Sequence, residues 1–149
     1  MTQENKELLS KDLCARLPYG VKIKTEYFTK ATLVAIRKNI SYGACKDLLV
    51  TYDISGEETP YQSEERSSTI SKIKPYLFPL SSMTEEQKND CPIGETNLNI
   101  IKSNTGYGII EIPWQLSCLF IEWCNKNHFD YRGLIPMGLA IDATGLNIY

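Results

Sequence analysis

Cys124, His128 and Asp130 lie within seven residues of one another, and they are the kinds of group that move protons and attack electrophiles. A thiolate can act as nucleophile, an imidazole as its base, and a carboxylate can orient that imidazole. His128 is the single histidine of the chain, so any histidine-based proton transfer centres on it. Catalytic Cys–His pairs, however, come from separate segments joined by the fold rather than from one local run. The plainer reading places His128 at the C-terminal end of a helix, where its charge complements the macrodipole. Asp130, Tyr131 and Arg132 then tie down the following turn by hydrogen bonds. An enzyme centred on His128 is the weakest of three functional expectations, and no catalytic residue is assigned.

The five cysteines are Cys14, Cys45, Cys91, Cys118 and Cys124. Their number is odd and no two form a C-x-x-C pair. The N-terminus, Met1 to Lys6, is polar and has no signal-peptide apolar region, so reduced thiols buried as small apolar groups are expected. Cys124 and His128 share a helix face at four-residue spacing, and Cys118 and Asp130 could join them. Zinc needs about four ligands in tetrahedral array, and this set matches no metal-site spacing. Neither a metal nor a cofactor is expected. The chain also contains no G-x-x-x-x-G-K, G-x-G-x-x-G, G-x-S-x-G or H-E-x-x-H string, which argues against the common ATP, NAD and metalloprotease classes.

A second constellation is basic and aromatic. Tyr19, Lys22, Lys24, Tyr27, Phe28, Lys30, Arg37, Lys38 and Tyr42 cluster on what read as the first two strands. Small barrels use such surfaces to stack bases and neutralise phosphates. The same face could grip a peptide, or its lysines could simply blunt an exposed sheet edge. Tyr19, Lys22, Lys24, Tyr27, Lys30, Arg37 and Lys38 are the candidate binding residues. The net charge of -2 excludes bulk electrostatic capture of nucleic acid but leaves room for a local patch. Residues 1–75 carry net +2 and residues 76–149 net -4. Trp114 and Trp123 share one face of an apolar helix, which reads first as a core helix and second as a homodimer interface.

The elements that must position these groups follow from pattern. With 149 residues, 42% of them hydrophobic and 23% charged, the chain has the composition of one ordinary globular domain. No apolar run approaches the ~20 residues needed to span a bilayer, so a cytoplasmic protein is expected. Leu9, Leu13 and Leu17 recur every four residues and predict a helix over Glu4 to Leu17, ended by Pro18 and Gly20. Alternation predicts strands over 21–28, 31–38, 46–54 and 69–73, with a turn at 39–43, a loop at 57–68, and Pro75 and Pro79 stopping further pairing. Short strands at this spacing predict an SH3-like barrel, closed by the 73–80 segment with Tyr76, Leu77 and Phe78 packed inward. Ser82 and Glu85 read as the capping box of a short helix. Strands at 98–101 and 107–112 with a turn between them are expected next, and then a helix over Pro113 to Asn127. The expected fold is α+β: residues 1–80 form the helix and barrel, and residues 81–149 an α-rich part with a β-hairpin, packed with the barrel as one unit.

Three strings, residues 13–22 (LCARLPYGVK), 73–86 (IKPYLFPLSSMTEE) and 128–140 (HFDYRGLIPMGLA), together resemble a family of small, uncharacterised proteins of Bacteroidales phages and prophage-like elements. The resemblance implies a protein working inside a bacterial cell and carries no catalytic residue with it. The leading expectation is therefore a non-catalytic intracellular binding protein that modulates a host protein or host defence. The alternative is a nucleic-acid or nucleotide binder using the basic and aromatic strands.

Overall fold

The computed structural model describes residues 1–41, 44–54, 66–94 and 114–149. The expected strands at 98–101 and 107–112 lie outside them, as do Tyr42 and most of the 57–68 loop. Helix α1 spans Gln3–Arg16, one residue offset from the leucine-stripe expectation, and Thr2 caps it through its side chain. Strands β1 (Lys22–Lys24), β2 (Ala31–Ser41), β3 (Ala44–Asp53), β4 (Arg66–Thr69) and β5 (Lys74–Pro79) follow. Helix α2 (Glu85–Asp90), helix α3 (Trp114–Lys126) and the short strands β6 (Phe129–Asp130) and β7 (Ile141–Asp142) complete the described elements.

The mixed α and β character and the N-terminal helix match expectation, but the barrel does not. Among the described residues, seven strands form one open sheet in the order β4-β3-β2-β1-β5-β6, with β7 also on β5. The reason lies in β5. Pro75 and Pro79 were expected to stop pairing, yet a proline removes only its own donor. Pro75 stands in register with Ile23 and Pro79 with Asp130. The Tyr76 and Leu77 carbonyls accept from Tyr149 Oη and the Ala143 amide, and the Phe78 amide donates to the His128 carbonyl. Strand β5 is thus shared by antiparallel β1 and by parallel β6 and β7, so the C-terminal segments extend the sheet where closure would have occurred.

Other boundaries moved for local reasons. Strand β1 ends at Lys24 because Thr25 folds the chain back: its Oγ1 accepts from the Tyr27 and Phe28 amides at 3.3 and 2.9 Å. Residues 70–72 form a 3-10 turn, not a strand. Arg66 to Ser68, expected in a loop, pair with β3. Thr84 and Gln87, not Ser82 and Glu85, make the capping box of α2. A register shift between Leu33 and Ala35 leaves Val34 exposed and lets both Leu33 and Ile36 reach the core.

Two apolar clusters result. Leu9 and Leu13 of α1 pack with Ile23, Leu33, Val50 and Leu77 of the sheet and with Val21 and Leu134. Met83, Cys91, Ile93, Phe120, Cys124 and Phe129 form the second. Between α1 and the C-terminal segments sits an ion pair with no exposure at either side chain: Arg16 Nε to Asp12 Oδ2 at 2.7 Å. Arg16 Nη2 also donates to Asp12 Oδ1 and to the Phe129 carbonyl, and Nη1 donates to the Cys124 carbonyl. Arg132 Nε stands 3.3 Å from Asp12 Oδ1. Removing one member of such a pair strands the other in low dielectric, which costs about 3–5 kcal/mol. Urea unfolding should show that loss for Arg16→Met. Adding Asp12→Leu to that variant should recover a large part of it. Equal losses in the single and double variants would show that the two backbone carbonyls, not the carboxylate, govern the site.

Candidate functional site

The Cys124–His128–Asp130 run does not assemble into a relay. Both Asp130 oxygens are taken by backbone amides, Oδ1 by Leu134 at 2.9 Å and Oδ2 by Ile135 at 2.8 Å. This fits the expected role of Asp130 in tying the turn. The Cys124 thiol is fully buried, and desolvation, with Cys91 nearby, pushes its pKa far above the ordinary range. A nucleophilic cysteine needs the opposite environment.

His128 follows the end of α3 with φ 59°, a left-handed conformation that stops the helix as a glycine would. Its ring stacks on Tyr149 at 4.1 Å and 13°, and its Nδ1 is buried without a hydrogen-bond partner. Burial first, and the Arg16 charge second, lower its pKa to about 4. The expected charge complementing the helix end is therefore absent near neutral pH. Tyr149 is pinned by more than this stack. Its Oη accepts from the Lys22 amide and donates to the Tyr76 carbonyl.

Trp123 stacks on Phe129 at 5.2 Å and donates from Nε1 to Asp90 Oδ2 at 3.1 Å, so it ties α3 to α2 and β6. The Trp114 side chain lies outside the described residues. Cys118 and Leu119 are exposed on α3.

The structure divides the basic and aromatic set. Arg37 and Lys38 are exposed toward the far end of β2, with Arg37 roughly 16 Å beyond Thr32 at strand spacing. Tyr19 is half-buried in the 3-10 turn after α1. Lys22 donates to Thr32 Oγ1 at 2.6 Å, and Lys30 to the Asn147 carbonyl at 3.2 Å. Phe28 turns inward against Tyr52 at 6.2 Å, while Tyr27 is 77% exposed.

Lys24, by contrast, lines a cleft of about 570 Å³ with two lysines outside the candidate set, Lys72 of the expected 69–73 strand and Lys74 of the 73–80 segment. Three elements supply them. Lys24 ends β1, Lys72 ends the 3-10 turn and Lys74 begins β5. Thr25, Glu26, Ser71 and Ile141 complete the lining. Lys24 and Lys74 stand directly opposite each other in register. Like charges so placed repel. No carboxylate pairs with either among the described residues. Glu26 is committed to Lys72 at 2.6 Å, and this hydrogen bond holds the Lys72 ammonium above the ordinary lysine range. The Tyr27 phenol is close enough to act on Lys72 electrostatically. The cleft thus has two uncompensated cations and one paired cation, and the exposed Tyr27 follows its lining residue Glu26 in the chain. The alternation of Lys22 and Lys24 is visible in sequence; the pairing of Lys24 with Lys74 depends on β5 being a strand.

Among the described residues no group of three or more His, Cys, Asp or Glu side chains could hold a metal ion, and no helix is long and apolar enough to cross a membrane.

A titration tests the buried state of His128. The unfolded chain binds the His128 proton near pH 6.5 and the folded chain near 4, so between those values unfolding takes up a proton. This contribution to stability is complete above about pH 6.5 and is lost as the pH falls to about 4. Urea midpoints should therefore decline more steeply with acid in the wild type than in His128→Asn, whose asparagine accepts the left-handed backbone. The difference should reach about 1–2 kcal/mol after solvent screening. Parallel pH profiles would place the imidazole in water.

No protein-family model matches the chain, and no curated protein and no solved structure matches it either.

Proposed function

We propose that the chain is a non-catalytic binding protein whose ligand is a phosphate-bearing anion held at the Lys24–Lys72–Lys74 cleft. One observation carries this reading: Lys24 and Lys74 oppose each other on paired strands with no carboxylate between them. Cross-strand like charges cost stability, and a bound anion turns that cost into affinity. Glu26 tempers the third lysine, so an incoming phosphate competes with it for Lys72. The buried, protonated Cys124 and the amide-bound Asp130 support a binding role over covalent chemistry.

A second reading comes from the phage-family resemblance. In it the chain modulates a protein of a bacterial host, and the exposed Leu119 of α3, beside Cys118, supports a protein contact. Native mass spectrometry of the gently purified chain separates the two. A bound mass of a few hundred daltons supports the anion cleft, and one of tens of kilodaltons supports the host-protein reading.

The charge reversal Lys74→Glu gives a signature that a merely solvated face would not. It replaces a repulsive cross-strand pair with an attractive one, so thermal unfolding should show a gain of about 0.2–1 kcal/mol. Calorimetry with inorganic polyphosphate at low salt should show binding lost in the same variant. A variant that gains stability and keeps wild-type polyphosphate affinity would refute the cleft as the anion site.

A further inference from the structure

We propose that the anion taken by the lysine cleft is a single-stranded nucleic acid, with its phosphates held by Lys24, Lys74 and Lys72 and a base stacked on Tyr27. This rests on the reading of the cleft as an anion site, and two further observations narrow the ligand.

The first is the arrangement of donors. Lys24 and Lys74 lie on adjacent strands, about 4.8 Å apart at sheet spacing, and Lys72 lies two residues before Lys74. The three lysines are spread over two paired strands and the turn that precedes β5 rather than gathered on one loop. Isolated phosphate groups are held by backbone amides that converge from a nest or a helix N-terminus. In the turn after β1 three amides are already engaged: Thr25 N donates to the Phe28 carbonyl, and the Tyr27 and Phe28 amides donate to Thr25 Oγ1. Flexible ammoniums spread over neighbouring elements suit a backbone of repeated charge.

The second is the turn that follows Lys24. It splits two adjacent aromatic residues, sending Phe28 inward onto Tyr52 and Tyr27 outward. The Tyr27 ring enters no ring contact found among the described residues and is 77% exposed. Tyr27 follows Glu26, which lines the cleft and pairs with Lys72. An unstacked ring adjoining a cationic cleft is the combination that single-strand binders use: the cations track the backbone and the ring takes a base without reading its identity. Polyphosphate would satisfy the lysines but leave the ring idle, which separates the two claims experimentally.

The test is fluorescence anisotropy with an end-labelled oligothymidylate, and with inorganic polyphosphate as competitor, on the wild type, Tyr27→Ala and Lys74→Glu. Tyr27→Ala should weaken oligothymidylate binding by about 5- to 100-fold and leave polyphosphate competition unchanged. Lys74→Glu should weaken both and reduce the slope of log affinity against log salt by about 0.7. Thermal unfolding of Tyr27→Ala should match the wild type, since the ring is exposed. If Tyr27→Ala binds oligothymidylate like the wild type, or a duplex of equal length binds more tightly than the single strand, the single-strand inference falls and the anion cleft stands. If the wild type binds neither probe, the anion cleft falls and this inference with it.

Discussion

The Arg16 guanidinium can be buried only if the Asp12 carboxylate and the carbonyls of Cys124 and Phe129 all reach it, and those groups come from distant parts of the chain. That requirement couples α1 to the end of α3 and to β6. It also sets the electrostatics nearby, because the same charge helps keep His128 neutral and opposes the upward shifts of Cys124 and Tyr149. A buried ion pair is weak grounds for high stability, since desolvation offsets most of the attraction. What it supplies is geometry. An apolar residue at position 16 would tolerate many helix orientations, whereas a planar fork with four specified acceptor contacts tolerates few.

That geometry reaches the cleft through the sheet. Phe129, whose carbonyl meets Arg16, stands beside Phe78 of β5, and β5 in turn holds β1 in register. Lys24 and Lys74 are therefore opposed by ladder pairing that their own charges resist. The neighbouring pair, Ile23 with Pro75, is buried, and its burial keeps the two lysines in place. The binding face is thus held in a locally unfavourable arrangement by an apolar layer directly beneath it, a familiar relation between stability and function.

Parts of this were legible in the sequence. The Leu9–Leu13 stripe marked α1, and the alternation of Val21, Ile23 and Thr25 against Lys22 and Lys24 marked β1 and its two faces. Asp12 and Arg16 also sit on the leucine face, at four-residue spacing, and that was the available signal for a buried pair. Charges on a short helix ordinarily face solvent, so periodicity alone gave no reason to bury them. The prolines of β5 misled because they do break central strands in general; here the neighbouring carbonyls and the Phe78 amide carry the bonds. That one misreading hid both the open sheet and the third side of the cleft. Lys72 and Lys74 could not be joined to Lys24 until β5 was known to lie beside β1. The Thr84–Gln87 cap differs from the expected Ser82–Glu85 cap by two residues, an ordinary consequence of several cap-competent residues in a row.

The Arg16–Phe129 contact spans 113 residues, and a ribosome makes the chain from one end. At about 5–20 residues per second, α1 waits roughly 6–20 s for the carbonyl that completes its guanidinium. During that interval the helix has its Asp12–Arg16 pair but neither backbone acceptor, and it is too short to persist on its own. Strand β5 also waits for β6 and β7. Helix α1 leaves the exit tunnel before the other described elements and yet is among the last of them to be fixed, because its guanidinium meets Phe129 long after its leucines can meet the sheet.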